Sequence, residues 1–492
     1  MLTLLDALPT KTLLGCPPGV VTGLVHDSRR VEPGAVFVAV PGFKQDGRSF
    51  VSEALHRGAA LVVAEGEDPL PGSRHCRILV PSSREALARL ADAYFGHPSG
   101  RLTVVGITGT NGKTTTSYLV EALLRARGMR TGVVGTIQYW VGEERIPAGQ
   151  TTPESVELQA LLVRMVEAGV GGVAMEVSSH ALALHRVDGV AFDVAVFTNL
   201  TQDHLDFHGT LEAYRRAKAR LFALLAAGGK PRPCAVINID DPAGPSMCAG
   251  LDLPILTYGL GSSAQLRPRR FTSSIEGISL EVETPAGPLL LRSPLIGEHN
   301  VMNLLAASGA GLALGMNPGA VARALGSVAS VPGRFERVEA GQPFLAVVDY
   351  AHTPDALERV LVTARKLTRT RLGVVFGCGG DRDRGKRPIM GGIAARLCDR
   401  VWVTSDNPRS EEPLAIMREI EVGLRGAPSA PERYAMIPDR RAAIRDALEW
   451  ARPGDTVVIA GKGHETYQII GSEVLPFDDR AVACEILKER QP

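Results

Sequence analysis

Residues Gly106 to Thr116 read Gly-Ile-Thr-Gly-Thr-Asn-Gly-Lys-Thr-Thr-Thr, a run of glycines, a lysine and hydroxyls suited to holding a polyphosphate. The preceding Leu102-Thr-Val-Val has the pattern of a buried strand, and the spacing from Thr114 to Arg127 predicts a helix closed by Gly128. A glycine-rich turn between strand and helix aims backbone N–H groups and the positive end of the helix at one point, which binds phosphate. The turn comprises Gly109, Thr110, Asn111, Gly112, Lys113, Thr114 and Thr115. Lys113 would reach the terminal phosphates and the Thr114 hydroxyl would ligate magnesium. The general P-loop pattern has glycine at position 107, where this chain has Ile107, and carries it at Gly106 instead, so the loop is a variant. A glycine-rich turn without a ligand is the plain alternative, and the Gly-Lys-Thr ending argues against it.

Ligands of open parallel sheets collect at the carboxyl ends of the strands. Two segments there carry metal-binding chemistry: Glu176, followed by Val-Ser-Ser-His, and Asn199, leading into Thr-Gln-Asp-His-Leu-Asp. Glu176 and His204 are the candidate ligands, since a hard cation takes carboxylate oxygens and accepts an imidazole; each taken alone reads as an ordinary polar loop residue. Lys218, on a helix in Tyr214-Arg-Arg-Ala-Lys, reads by itself as a solvated charge. Asn300 and Asn303 share one helix face and either read an adenine edge or cap the helix. Arg382, Arg384, Lys386 and Arg387 form a cationic run suited to anions, or plain exposed loop charge. Asp406, Asn407, Pro408 and Arg409 follow one strand, and Gly461-Lys-Gly-His-Glu, ending at Glu465, follows another. Carboxylate, amide and guanidinium groups around one pocket suit a zwitterionic amino acid.

The elements that must position these residues fall into three blocks. Residues 1 to 98 alternate short strands (Ala35 to Val40, Ala60 to Ala64) with one or two helices. Residues 99 to 331 repeat strand–helix units at Gly132, Gly172, Val194 and Ala235, predicting a parallel sheet covered on both faces, with hairpin-like strands between about 265 and 297. Residues 332 to 492 alternate again, with strands at Leu345, Leu372, Val401 and Thr456. The Gly377-Cys-Gly-Gly turn would place the third glycine of a dinucleotide fingerprint on Arg382, which disfavours a nicotinamide site.

A chain of 492 residues suggests about three domains. Hydrophobic residues at 45% with aromatics at 5% favour α/β domains over a β-sandwich. A net charge of +1 without a basic stripe excludes nucleic acid as the main partner. The seven cysteines include no C-x-x-C pair, so neither a disulfide framework nor a zinc knuckle is indicated. The N-terminus lacks the basic and apolar regions of a signal peptide. The uncharged run Val301 to Ala322 contains Asn303, Ser308, Asn317 and Pro318, so it reads as a buried helix and a turn, not a membrane span. A soluble, cytoplasmic protein is expected.

Several segments resemble the Mur ligases: Gly-Thr-Asn-Gly-Lys-Thr-Thr at 109–115, Glu176-Val-Ser-Ser-His, Thr198-Asn-Leu-Thr-Gln-Asp-His-Leu-Asp, Tyr214-x-x-Ala-Lys, Gly297-Glu-His-Asn-Val-Met-Asn and Asp349-Tyr-Ala-His-Thr-Pro. Asp27-Ser-Arg, Thr151-Thr-Pro, Gly377-Cys-Gly-Gly-Asp-Arg-Asp-Arg-Gly-Lys-Arg-Pro, Asp406-Asn-Pro-Arg and Gly461-Lys-Gly-His-Glu are most similar to the branch that adds the third peptide residue. The resemblance spans nearly the whole chain. It implies an α/β fold of three domains: a UDP-substrate-binding domain (1–98), a central P-loop ATP-binding domain with a parallel sheet (99–331) and a C-terminal Rossmann-like amino-acid-binding domain (332–492).

The implied activity is ATP- and Mg2+-dependent amide formation by a monomer. The D-glutamyl γ-carboxylate of UDP-MurNAc-L-Ala-D-Glu attacks the γ-phosphate of ATP, and the acyl phosphate is attacked by the amine of meso-diaminopimelate. Such a reaction is mostly charge neutralisation and positioning, and a three-domain ligase should need closure to bring acyl phosphate and amine together. By the same resemblance Lys113 and Thr114 hold phosphates and metal, Glu176 and His204 are metal ligands, and Lys218 is carbamylated by CO2, reversing the reading of it as a solvated charge. Asn300, Arg334 and Asp349 hold adenine and ribose; Ser28, Thr151, Thr152, Ser178 and Arg186 hold the UDP-muramoyl dipeptide. Leu184 stands where members often carry glutamine. Arg409 can pair bidentately with a distal carboxylate that lysine and ornithine lack, with Arg382 and Glu465 clamping the rest. Turnover with L-lysine or L-ornithine, folylpolyglutamate-type ligation, a P-loop ATPase or kinase switch, and a catalytically dead nucleotide-sugar binder are the alternatives.

Overall fold

The computed structural model describes residues 2–42, 45–426 and 434–490. Two compact units divide the chain: one comprises Met1–Arg267, Glu283–Pro288 and Asn303–Ala324, the other Pro268–Val282, Leu289–Met302 and Leu325–Pro492.

The first unit contains two sheets. Residues 12–80 form five strands, in the order Thr12–Leu14, Arg77–Val80, Leu61–Glu65, Val36–Ala39 and Leu24–Val25. The second sheet has eight strands. Its P-loop strand Thr103–Thr108 lies centrally, paired in parallel with Gly172–Glu176 on one side and Val194–Phe197 on the other. Cys234–Asn238 and Ile255–Tyr258 extend one flank, and Thr131–Val134 the other. The sheet is not wholly parallel as expected: Gln138–Val141 and Glu144–Pro147 add an antiparallel edge. Gly142, at φ +60°, makes the tight turn between them, so the chain returns without a crossover helix.

Val104, Val105 and Ile107 of the central strand are fully buried, each contributing about 1.5–3 kcal/mol of hydrophobic stabilisation. A Cβ at Gly106 would stand 2.8 Å from the Phe192 ring. Glycine at this variant position thus serves packing beneath the loop rather than the phosphate.

The second unit is built on a sheet in the order Glu336–Arg337, Leu345–Asp349, Thr456–Ala460, Leu372–Phe376, Arg400–Val403 and Tyr434–Met436. All neighbours are parallel except the first pair. Strand Thr456–Ala460, inserted between Leu345–Asp349 and Leu372–Phe376, brings chain segments a hundred residues apart to one sheet end. The hairpin-like stretch forms a three-stranded sheet of Arg267–Ser274, Gly277–Glu283 and Leu289–Ser293. The uncharged run, of which Asn303–Ala324 belongs to the first unit, is helix His299–Ala313, a turn with Gly315 at φ +80°, and helix Pro318–Gly326. No helix of the described residues is long and apolar enough to cross a membrane.

Candidate active site

The phosphate loop joins strand Thr103–Thr108 to helix Lys113–Ala126. Gly112, at φ +85°, caps the helix, and a Cβ there would stand 2.3 Å from Asn303 Oδ1. Gly109, at φ +151°, leaves room for Thr198, whose Oγ1 would lie 1.8 Å from an added Cβ. Both positions therefore require glycine, for conformation and for close approach.

Thr110 N donates to Asn199 O at 2.8 Å and Asn111 N to Asn199 Oδ1 at 2.9 Å. The amides of Thr110 and Asn111 are thus committed inward. Thr198 Oγ1 donates to Asn111 O at 2.6 Å, completing a brace from the neighbouring strand end.

Lys113 Nζ lies over the loop, donating to Gly109 O and Thr110 O at 2.9 Å each. Lys218, on helix Leu211–Ala227, is fully buried, with Nζ donating to Gly109 O at 2.7 Å and standing 4.2 Å from the Tyr214 ring centroid. Two lysines thus share one carbonyl. Burial, and then the Lys113 charge, hold Lys218 well below the ordinary lysine range, against the opposing pull of Asp203. The solvated-charge reading of Lys218 fails because the neighbouring elements cover this helix face.

Glu176, 1% exposed, accepts from Thr114 Oγ1 at 2.9 Å and from Thr136 Oγ1 at 3.0 Å on Oε2, and from Thr136 N at 2.8 Å on Oε1. Thr136 was not anticipated, although it follows strand Thr131–Val134 at the same sheet end, a position where it could have been sought. His204 has a left-handed backbone (φ +52°) and a half-exposed ring. Burial and the charges of Lys113 and Lys218 lower its pKa, Asp203 opposing, which favours the neutral imidazole that binds metals. Its ring packs 4.8 Å from that of His180.

Among the described residues no group of three or more His, Cys, Asp or Glu could hold a metal unaided. A carboxylate and a hydroxyl in contact fit magnesium, which binds through one or two protein oxygens and fills its shell with phosphate and water.

The residues expected on the UDP-muramoyl side are mostly tied to the fold. Ser28 is buried and donates to Glu53 Oε2 at 3.0 Å. Thr152 Oγ1 donates to Glu176 O at 2.8 Å and accepts from Ser178 N at 3.1 Å, while Ser178 caps helix Ser179–Ala183. Thr151 Oγ1 lies 3.1 Å from Thr136 Oγ1. Arg186 donates to Thr152 O at 3.1 Å, to the Gln150 side chain and to Glu154 Oε1 at 2.7 Å, gripping the 150–154 loop.

In the second unit, Asp349 Oδ2 accepts from Phe335 N at 2.7 Å and Oδ1 from Ala351 N at 2.8 Å. Burial pushes its carboxyl up to about 6, against Arg334 and the two backbone donors. Arg334 stacks 4.9 Å from the Tyr350 ring. Asn300 Nδ2 donates to Ile296 O at 2.8 Å, a bond four residues back at the start of its helix.

The residues expected to hold an amino acid come from three loops. Gly380 and Gly377 admit Pro408 O and Thr404 O to within 1.9 and 2.2 Å of where a Cβ would sit, so the Gly377 turn lies against the Asp406 loop. Gly461, at φ +113°, lets Asp406 Oδ2 approach a Cβ position at 2.6 Å. Asn407 Nδ2 donates to Glu465 Oε2 at 2.8 Å. Arg409, at φ +53°, donates from Nη1 to Gly380 O at 2.8 Å.

Of the expected cationic cluster, Arg387 is fully buried between Glu411 and Glu419, Arg384 pairs with Glu419, and Lys386 donates to His352 O at 2.8 Å. Arg382 is exposed, with a bond of 3.1 Å to Asp381 O. Three of the four cations therefore hold the fold: distant glutamates meet Arg384 and Arg387, and a backbone carbonyl meets Lys386. A further strut had no sequence signal: Arg440 and Asp479, both fully buried, pair at 2.6 Å, and Arg440 donates to Ser405 O at 3.3 Å and Ala460 O at 3.0 Å. It ties together the two strand ends that carry Asp406 and Gly461.

Three family models match: the Mur ligase middle domain over residues 107–311, the Mur ligase glutamate ligase domain over 333–463 and the Mur ligase family catalytic domain over 20–95. The chain is 51% identical to a UDP-N-acetylmuramoyl-L-alanyl-D-glutamate–2,6-diaminopimelate ligase of Solibacter usitatus, over 95% of this chain and 94% of that one. It is 48% identical to the protein of the same name from Geobacillus thermodenitrificans, over 99% of each chain. A solved structure of a UDP-N-acetylmuramoyl-L-alanyl-D-glutamate–2,6-diaminopimelate ligase superposes with a TM-score of 0.72 at 35% identity, over 99% of each chain. With its phosphate loop, braced strand ends and three matched domains, the chain belongs to the Mur ligase family.

Proposed function

We propose that this protein is the ATP-dependent ligase that joins meso-diaminopimelate to the D-glutamyl γ-carboxylate of UDP-MurNAc-L-Ala-D-Glu in peptidoglycan precursor synthesis. It acts as a cytoplasmic monomer, through a UDP-substrate domain (1–98), an ATP domain (99–331) and an amino-acid domain (332–492). The observation that carries the ligase reading is Lys218, buried against the Gly109 carbonyl of the phosphate loop, where burial shifts its amine toward the uncharged form. Only a neutral amine adds CO2: its lone pair bonds the carbon, one C=O π pair moves to oxygen, a proton leaves the nitrogen, and the neutral side chain becomes a carbamate anion. The relatives named for diaminopimelate addition support the substrate pair.

The donor carboxylate and the γ-phosphate are both anions, so their encounter is the barrier to be lowered. Lys113 supplies positive charge at the terminal phosphates, and the helix start at Gly112 supplies N–H groups and the favourable end of the helix dipole. Magnesium, held by Thr114, Glu176, His204 and the Lys218 carbamate, would neutralise the phosphate oxygens. Asn300, Arg334 and Asp349 hold adenine and ribose. Ser28, Thr151, Thr152, Ser178 and Arg186 orient the UDP-muramoyl dipeptide. Arg382, Asp406, Asn407, Pro408, Arg409, Gly461 and Glu465 form the diamino-acid site, Arg409 taking the distal carboxylate and Glu465 an ammonium.

Phosphate release is measured with ATP, magnesium and UDP-MurNAc-L-Ala-D-Glu, offering meso-diaminopimelate, L-lysine or L-ornithine separately. Release confined to diaminopimelate, with a tripeptide product by mass, is expected. Turnover with lysine or ornithine would keep the ligase and overturn the specificity; release with none would overturn the reaction.

A further inference from the structure

Lys462 sits between two residues of the proposed diamino-acid site, Gly461 and Glu465, and has no role there. Its side chain is fully buried. Its ammonium donates to Asn407 Oδ1 at 3.1 Å and to Glu465 Oε2 at 3.2 Å. Asn407 Nδ2 donates to the same Glu465 oxygen at 2.8 Å, and Ile469 N donates to Asn407 Oδ1 at 3.0 Å. A backbone bond from Glu465 N to Lys462 O at 2.9 Å closes the turn that carries both side chains.

The network has one direction. An ammonium and a backbone N–H can only donate, so the amide oxygen of Asn407 must face them and its nitrogen must face the carboxylate. Lys462 therefore sets the amide orientation and occupies, with Asn407, one oxygen of Glu465. The other oxygen, Oε1, makes no hydrogen bond among the described residues, and Asn407 retains a second N–H. These are the groups left to meet a ligand carrying both an ammonium and a carboxylate.

We propose that Lys462 is a positioning residue for the incoming diamino acid: it pins Glu465 Oε2 and the Asn407 amide so that Glu465 Oε1 and the remaining Asn407 N–H face the substrate. The proposal rests on the diamino-acid ligase reading above. It separates from a merely structural lysine because positioning acts through Glu465 and on one substrate only.

Steady-state kinetics of Lys462→Met, Glu465→Gln and the double variant provide the test, with meso-diaminopimelate and ATP varied separately. Lys462→Met should raise KM for diaminopimelate by about tenfold or more, the loss expected for a hydrogen bond to a charged group, with KM for ATP within about twofold. The double variant should be little worse than Glu465→Gln alone. Equal changes in both KM values, or single effects that multiply fully, would overturn the role.

Should Lys462→Met not fold, Asn407→Asp probes the same network with the lysine kept. Its new carboxylate oxygen would face Glu465 Oε2 and displace it, so KM for diaminopimelate should rise; an unchanged KM would overturn the proposal. Wild-type protein that uses no diamino acid would overturn the function and this role together, whereas normal wild-type turnover with unaffected variants overturns this role alone.

Discussion

At Gly109 to Thr115 the chain offers backbone geometry, set by two glycines and a helix start, to the charged ligand proposed there. Around Asn407 and Glu465 the presenting groups are side chains, oriented by a buried lysine and an arginine–aspartate strut from elsewhere in the sequence. The phosphate loop is a contiguous run whose donors lie a few residues apart along one turn. The proposed amino-acid site depends on Asp406 to Arg409, Gly461 to Glu465, Arg440 and Asp479 meeting across a sheet end. A phosphate can be recognised by any correctly curved backbone, because every residue but proline carries an N–H. A diamino acid needs particular functional groups at fixed directions, so its site depends on tertiary packing. One region should therefore fail chemically when a single group is removed, and the other through loss of orientation or of the fold.

The sharpest way to break that contrast is Lys218→Ala, which should lower turnover by about a thousandfold or more through loss of electrostatic support. Bicarbonate should not restore it, whereas a short-chain carboxylate should restore part; wild-type turnover would remove the carbamate role. Arg440→Met tests the other region through stability. It leaves the fully buried Asp479 carboxylate unpaired and should cost about 3–5 kcal/mol in urea unfolding; a change near zero would show that the strut is dispensable. Arg409→Ala should raise KM for meso-diaminopimelate by about ten- to a hundredfold while ATP binding changes little. Equal losses for both substrates would count against the clamp.

The smallest effect concerns Asp349. Burial raises its carboxyl from 3.8 to about 6, so the folded protein takes up this proton at a higher pH than the unfolded chain. Its contribution to stability therefore falls as pH rises through that window. The ionised carboxylate, the stronger acceptor for the ribose hydroxyl proposed there, prevails above about 6. KM for ATP should rise as pH falls from about 7 to about 5, and Asp349→Asn should flatten the profile. A pH-independent wild-type KM would separate Asp349 from the nucleotide.

The sheet end was readable wherever a strand of apolar residues ran directly into polar ones. Glu176 follows such a strand, and its meeting with Thr114 agrees with the rule that ligands gather at carboxyl ends. Lys218 was not readable from its residues, since a lysine on a helix is usually solvated and only the covering elements bury it. The cationic run from Arg382 to Arg387 misled for the converse reason: Glu411 and Glu419, which pair with two of its four cations, lie about thirty residues away. The antiparallel edge after Thr131–Val134 was missed because a short hairpin resembles a turn in a strand–helix series.

By itself the sequence determined the α/β class, the phosphate loop, the strand ends that carry polar groups and the family, because these depend on local periodicity and contiguous motifs. Tertiary structure alone decided which charges are buried, which are paired and which are left to a ligand. Burial and pairing are set by neighbours distant in the chain, and the free energy of a charge depends on those neighbours more than on its residue type.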